Sequence, residues 1–123
     1  AEILTYYGLE SSNFKVSNLI VHTPIVKIGD EVSFSFHVKN SSETAKYLRL
    51  EYGVYYQKAN GQVSRKVFKI SERIYEGSEN CIVARRQSFK LITTRKFYVG
   101  RHKISIVING QETEEIDFEL IAR

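Results

Sequence analysis

Positively charged side chains are concentrated in the second half of this chain, where aromatic residues lie between them. Residues 58–103 hold twelve of the 18 Lys and Arg but three of the 14 acids, a local net charge of +9 against −5 elsewhere. Phe89, Phe97 and Tyr98 lie within this region. Cationic side chains neutralise phosphates and release condensed counterions, and aromatic rings stack on exposed bases. The chemistry that this region favours is therefore the binding of a polyanion.

The same residues have a second interpretation, in which they serve the fold or a protein partner. Long cationic side chains cover apolar surface and pair with nearby acids. Phe89 and Phe97 would then close one end of the core, and Tyr98 would fix the loop before the penultimate strand. The charge pattern leaves three alternatives open, which are a nucleic acid, an acidic protein surface and no partner.

Arrangements that support catalysis or metal binding are not found in the sequence. His22, His37 and His102 are scattered, and none has Cys, Asp or Glu at metal-ligand spacing. No nucleophile turn of the G-x-S-x-G type and no phosphate-binding glycine loop occurs. The five acids in 112–119 alternate along a predicted strand, unlike a calcium loop. We therefore expect a chain that is not an enzyme, with no metal, no cofactor and no small-molecule substrate.

Cysteine use and hydropathy bear on the compartment. Cys81 is the only cysteine, so no internal disulfide can form, and it alternates with Val83 as a small apolar residue would. A domain without disulfides suits the cytoplasm. No run approaches the roughly 20 apolar residues that span a bilayer. We expect a cytoplasmic location without membrane insertion.

The elements that carry these residues are predicted to be β-strands. Apolar and polar residues alternate with a period of two across 31–38 and 47–56, as in strands with one buried face. Glycine-containing turns close hairpins at Asn60-Gly61 and Asn109-Gly110. Further strands are predicted near 15–22, near 63–74, around Cys81 and Val83, and on both sides of the second turn. About seven antiparallel strands indicate an all-β immunoglobulin- or fibronectin-like β-sandwich.

Two segments lie outside these strands. Residues 1–12 are typical of the end of a preceding helix followed by a linker, so the β-sandwich domain is predicted to cover 13–123. A longer basic connection is predicted across 85–98, between the strand around Val83 and the final hairpin. The Asn40-Ser41-Ser42 triplet, a glycosylation sequon, falls in a predicted loop.

Several irregular motifs resemble the C-terminal immunoglobulin-like β-sandwich domain of bacterial DNA alkylation repair proteins, the glycosylase family built on HEAT-like helical repeats. The motifs, which extend over about 14–120, are Val16-Ser17-Asn18-Leu19, Ile28-Gly29-Asp30, Val32 to Phe36, Glu51-Tyr52 to Tyr56 with Lys58 and Asn60-Gly61, Ser64 to Lys69, Arg85 to Lys90, Thr93 to Lys96, Tyr98 to His102 and Val107 to Gly110. Two positions depart from the family pattern, since Gln87 stands where His is expected and Cys81 where an aliphatic residue is usual.

The resemblance implies an accessory role and no catalytic one, because the helical repeats that carry glycosylase activity in that family are absent from 13–123. The first hypothesis is a module that contacts DNA phosphates and positions them without reading sequence. The second is a module that docks onto the preceding helical-repeat domain or onto another protein, with no nucleic-acid contact. The residues expected to contact DNA are Lys66, Lys69, Arg85, Arg86, Lys90, Arg95, Lys96, Arg101 and Lys103.

Overall fold

Eight β-strands account for most of the chain in the computed structural model, which describes residues 13–90 and 96–123. The predicted helix end and linker at 1–12 lie outside the described residues. The strands are β1 Phe14–Val21, β2 Ile25–Lys27, β3 Glu31–Asn40, β4 Lys46–Gln57, β5 Val63–Tyr75, β6 Asn80–Ser88, β7 Gly100–Ile108 and β8 Gln111–Ile121.

The strands form two sheets that pack face to face. Sheet A has the order β1-β3-β6, and sheet B has the order β2-β8-β7-β4-β5. All neighbours are antiparallel except the short β2, which pairs in parallel with the end of β8. The all-β sandwich is confirmed, with eight strands instead of about seven. The additional strand is β2, whose three residues are too short to show a period.

The core lies between the inner faces of the two sheets. The period of two places Val32, Phe34, Phe36 and Val38 of β3 on this face, and all four are fully buried. Facing residues from sheet B complete the core. They include Leu48, Leu50, Tyr52, Val54 and Tyr56 of β4, Ile104, Ile106 and Ile108 of β7, and Phe118 and Leu120 of β8. Burial of each such side chain contributes about 1.5–3 kcal/mol, so this face sets the register of every strand.

The turn between β7 and β8 has the geometry that its sequence predicts. Asn109 and Gly110 have φ values of 48° and 86°, as both central residues of a type I′ turn require. The Asn109 amide oxygen also accepts a hydrogen bond from the backbone N–H of Arg49 at 2.7 Å. The final hairpin is therefore fixed to β4, the strand beside β7.

The structure corrects two predictions about loops. The basic connection predicted across 85–98 begins later, because β6 continues to Ser88 and pairs with β3 along its whole length. Arg85 and Arg86 are strand residues, since an edge strand tolerates exposed cations on both faces. The loop predicted at the Asn40-Ser41-Ser42 triplet begins one residue later, at Ser41, because β3 ends at Asn40. Asn40 is the last residue of β3 and is fully buried, so its amide is inaccessible to glycosylation in the folded chain.

The two sheets leave an open edge on one side of the sandwich. β6 is the last strand of sheet A and β5 the last strand of sheet B. The Tyr52 hydroxyl of β4 donates a 2.6 Å hydrogen bond to the Gln87 amide oxygen of β6, so these two margins lie close together. No strand of the described ranges covers this edge, and inward-facing side chains of β5 and β6 therefore reach solvent there.

Candidate nucleic-acid interface

A groove runs along the open edge between β5 and β6. It consists of two adjoining cavities of about 290 and 310 Å³ that share Tyr56, Lys66 and Phe97. We call it the β5–β6 groove and define it by Lys58, Lys66, Phe68, Lys90, Lys96 and Phe97. No Asp or Glu is among the described residues that line either cavity.

The lysines of the β5–β6 groove have no acidic partners within the described residues. Lys66 and Lys90 are exposed, and neither ammonium group lies within 4.0 Å of a described carboxylate. The same holds for Lys58 and Lys96. Lys66 reaches this position because its register with Val54 of β4 directs it to the inner face of sheet B, and β5 is the edge strand. Unpaired cations in a concave site focus a positive potential that attracts polyanions.

Three other predicted contact residues, Lys69, Arg101 and Lys103, lie on the outer face of sheet B, and two of them are paired with acids. The Lys69 ammonium group is 2.6 Å from Glu72, and the Lys103 ammonium group is 3.2 Å from Glu115. The hydrogen bond that Lys103 donates to Glu115 raises the pKa of Lys103. Arg101 is opposite Glu119 in the β7–β8 ladder, but no described carboxylate lies within 4.0 Å of its guanidinium group. The positive charges of Lys69 and Lys103 are balanced locally, which weakens their attraction for a phosphate backbone.

The remaining three predicted residues occupy separate positions. Arg85 is exposed on the inner face of β6, two residues before Gln87, which lines one of the cavities. Arg86 is on the outer face of sheet A, with its guanidinium 3.9 Å from Glu31. Arg95 lies outside the described residues. Of the predicted contact residues, the structure thus brings Lys66, Lys90 and Lys96 into one groove and places Arg85 on the inner face of β6 near it. It places Lys69, Arg86, Arg101 and Lys103 on the outer faces of the sheets.

The aromatic residues Phe89, Phe97 and Tyr98 differ in their surroundings. Phe89 is fully buried and packs edge-on against Phe97, His102 and Phe118, so it closes one end of the core and is inaccessible to a base. Phe97 is half-buried, stacks on Tyr56 with a centroid distance of 6.0 Å, and lines both cavities. The Tyr98 ring lies 5.5 Å from the Lys96 ammonium group.

Phe68 and Gln87 line the cavity of about 310 Å³ but were not among the contact residues predicted from the sequence. Phe68 is half-buried, stacks on Tyr52 at 5.2 Å, and has the Lys66 ammonium group 5.5 Å from its ring centroid. Gln87 accepts the Tyr52 hydrogen bond, and burial raises the pKa of that phenol above its usual value. Edge position was the missing information. An apolar residue on the inner face of a strand is normally covered, and only sheet order shows that β5 and β6 are margins.

The histidines do not form a metal site. His37 is exposed on the outer face of β3. His22 is also exposed, and its Nε2 lies 2.8 Å from the Ser35 hydroxyl. His102 is buried, and burial lowers its pKa. Within 13–90 and 96–123, no three His, Cys, Asp or Glu residues are close enough together to hold a metal ion. Nor does that part of the chain contain a helix with the length and apolar character needed to cross a membrane.

The fold and the groove define an immunoglobulin-like β-sandwich domain with one open, basic margin. Residues 15–122 match the family described as uncharacterised protein YhaZ, C-terminal Ig-like domain. The chain belongs to this family. It is 35% identical over 120 residues to the uncharacterized protein YhaZ of Bacillus subtilis (strain 168), covering 97% of this chain and 33% of that protein.

Solved structures extend the comparison. The alkylpurine DNA glycosylase AlkC of Pseudomonas fluorescens, bound to DNA containing an abasic site analog, superposes with a TM-score of 0.88 at 28% identity. The match covers 97% of this chain and 33% of the glycosylase. A β-glucosidase from Listeria innocua in complex with isofagomine gives a TM-score of 0.67 at 12% identity over 89% of this chain and 16% of its own, which shows a shared fold alone.

These matches confirm the resemblance to the C-terminal immunoglobulin-like domain of DNA alkylation repair proteins. The chain spans about a third of the length of both the YhaZ relative and the glycosylase. It is related to part of a DNA glycosylase, and the family that it matches is a C-terminal Ig-like domain.

Proposed function

We propose that this chain is a non-catalytic accessory domain of a cytoplasmic DNA alkylation repair-like protein, and that it contacts DNA phosphates through the β5–β6 groove. The relationship to a DNA-bound alkylpurine glycosylase supports DNA as the polyanion. The groove cations would hold the backbone in place without reading base sequence. Chemistry on the damaged base would belong to another part of the longer protein.

One observation carries this proposal. Of the cations predicted to contact DNA, Lys69 and Lys103 on the outer face of sheet B are paired with acids, whereas Lys66, Lys90 and Lys96 line a concave surface with no described carboxylate within 4.0 Å. Surface ion pairs leave little net charge to attract a ligand. Unpaired lysines are free to neutralise phosphates, and this releases the counterions condensed on DNA and so favours binding.

The test compares two double variants with equal loss of charge. Lys66→Gln with Lys90→Gln removes two groove cations, and Lys69→Gln with Lys103→Gln removes two paired cations from the outer face. Binding to a labelled duplex is measured by fluorescence anisotropy across a salt series. We expect the groove variant to lower the slope of log affinity against log salt by about 1.8, at about 0.9 for each lost phosphate contact. We expect the control to change the slope little.

Two results would contradict the proposal. Equal losses in the two double variants would mean that affinity follows net charge and not the groove. If the wild-type chain binds neither a duplex nor a single strand at low salt, where electrostatic attraction is strongest, DNA is removed as the ligand.

Docking onto a neighbouring helical-repeat domain or another protein is the second candidate. Ile20 and Ile82 project from the outer face of sheet A with 49% and 70% of their surfaces exposed. Docking would be favoured if the wild-type chain does not bind DNA and if the double variant Ile20→Ser with Ile82→Ser no longer associates with the rest of a full-length relative. Retained association would exclude this face as the contact.

A further inference from the structure

The β5–β6 groove combines unpaired cations with aromatic rings, and the phosphate-binding role explains only the cations. A duplex backbone presents phosphates and sugars to a protein surface, while its base faces are stacked inside the helix. Phe68 and Phe97 contribute ring surface that a duplex backbone has no means of using. Aromatic rings beside a cationic track are typical of sites that bind unpaired nucleic acid.

We infer that the β5–β6 groove binds an unpaired nucleotide, with its base stacked on the aromatic wall at Phe68 and its flanking phosphates held by Lys66 and Lys90. This inference rests on the proposed function, because it specifies which form of DNA the groove takes. The cavity beside Phe68 measures about 310 Å³, at the small end of the range of about 300–1,000 Å³ for ligand pockets. A single nucleotide unit suits that size better than a folded partner.

The aromatic wall is held rigidly from behind. Phe68 stacks on Tyr52 with 20° between the ring planes, and Phe97 stacks on Tyr56 with 27°. Both tyrosines are core residues with less than a tenth of their surface exposed. A ring that is already ordered loses little side-chain entropy when a base stacks on it.

The polar residues at the wall suit a nucleotide. The Lys66 ammonium group, 5.5 Å from the Phe68 centroid, is close enough to reach a phosphate next to a base on that ring. Lys90 lines the same cavity from the other margin. Gln87, whose orientation is fixed by the 2.6 Å hydrogen bond from Tyr52, places an amide beside the wall. Amide groups hydrogen-bond to the edges of unpaired bases.

The experiment separates bases from phosphates. Binding of the 123-residue chain is measured with labelled oligothymidylate, with an abasic oligomer that has the same number of phosphates, and with a duplex. Stacking contributes about 1–3 kcal/mol per base, so oligothymidylate should bind about five- to 150-fold more tightly than the abasic oligomer. Phe68→Leu should reduce this ratio to near one, while Tyr47→Leu on the outer face of sheet B should preserve it.

Other outcomes overturn the inference in distinguishable ways. Equal affinity for the abasic oligomer and oligothymidylate, with duplex binding that depends on Lys66 and Lys90, would end the inference and leave the proposed function intact. Persistence of base dependence in Phe68→Leu would also end it. Competition by polyglutamate equal to that of oligothymidylate at the same charge would assign the groove to acidic peptides. Failure to bind any nucleic acid would remove both proposals.

A second variant guards against a folding defect at Phe68. Phe68→Tyr retains a stacking ring and should retain the oligothymidylate preference, with an unchanged melting temperature confirming the fold. Loss of the preference in Phe68→Tyr, together with a wild-type melting temperature, would contradict stacking at this position.

Discussion

Arg65 and Lys66 are consecutive residues of β5 that lie on opposite faces of sheet B. Arg65 lines one of the two cavities, but its guanidinium Nε is 3.0 Å from the Glu112 carboxylate on the outer face. Lys66 is on the inner face and lines both cavities of the β5–β6 groove without a described acidic partner. The pleat of the strand therefore divides two adjacent cations between two roles. Arg65 holds the outer face together, and Lys66 is available to a polyanion.

Glu112 is the centre of the outer-face network, and its removal should affect stability more than DNA binding. Its carboxylate accepts hydrogen bonds from the Tyr55 hydroxyl at 2.6 Å and the Ser105 hydroxyl at 2.7 Å, in addition to Arg65. Because the group is partly exposed, we expect Glu112→Gln to lower the free energy of unfolding by only about 1 kcal/mol. Urea denaturation measures this, with Glu114→Gln on the same strand as the control.

The Glu112 carboxylate should also make the stability of the folded chain fall in acid. The Tyr55 hydrogen bond is the main cause that lowers the pKa of Glu112 below 4.5 in the folded chain. The folded state therefore binds this proton less readily than the unfolded state, so the contribution of Glu112 is present at neutral pH and is lost as the pH falls below about 4.5. A Glu112→Gln chain with the acid sensitivity of wild type would contradict this account.

His102 should make stability fall at mildly acidic pH. Its Nδ1–H donates to the Gly100 carbonyl at 3.1 Å, and its Nε2 accepts the Gln57 backbone N–H at 3.4 Å, so the neutral ring is satisfied. Burial lowers its pKa below 6.5, which means that the unfolded chain takes up the proton first. We expect stability to decline below about pH 6.5, by at most about 1.4 kcal/mol per pH unit.

Denaturation across pH in two variants tests this prediction. His102→Gln should be less stable at neutral pH, because it leaves part of the hydrogen-bonding unmet, but should lose the decline below about pH 6.5. His37→Gln, which changes an exposed histidine on β3, should keep the decline. A decline of equal size in all three proteins would assign it to groups other than His102.

Asn40 should be intolerant of a carboxylate. Its buried amide nitrogen donates to the carbonyls of Thr44, Tyr75 and Glu76 at 3.0, 3.2 and 3.0 Å, and so joins the end of β3 to the β5–β6 connection. Asn40→Asp would place a negative charge against three carbonyl oxygens and should cost about 3 kcal/mol or more. Asn60→Asp at the exposed hairpin tip should change stability by less than about 0.5 kcal/mol. Similar melting temperatures for the two variants would contradict the role of Asn40.

The features of this fold that could be predicted from the sequence are those that depend on residues close together in the chain. Strand period and turn residues such as Asn109-Gly110 are local, so the sandwich and its register were predictable. Sheet order depends on pairing between distant segments. It makes β5 and β6 the edge strands, and Lys66 and Phe68, which lie on the inner face of β5, therefore reach solvent. The charge count likewise treated Lys69 and Lys103 as equivalent to Lys66, because their acidic partners come from positions that only the three-dimensional pairing identifies.

Arg85 and Arg86 offer the sharpest comparison between the groove and net charge. They are neighbours on β6, yet Arg85 lies on the inner face beside Gln87, and Arg86 lies on the outer face with Glu31 at 3.9 Å. Each change to Gln removes one positive charge from almost the same place in the chain, so the long-range field is altered equally.

We expect Arg85→Gln to lower the salt slope of duplex binding by about 0.9 and Arg86→Gln to leave it near the wild-type value. Anisotropy titrations at several salt concentrations measure both slopes. If the two substitutions lower the slope equally, DNA attraction arises from the overall charge of the domain, and the inner-face position of Arg85 has no special role.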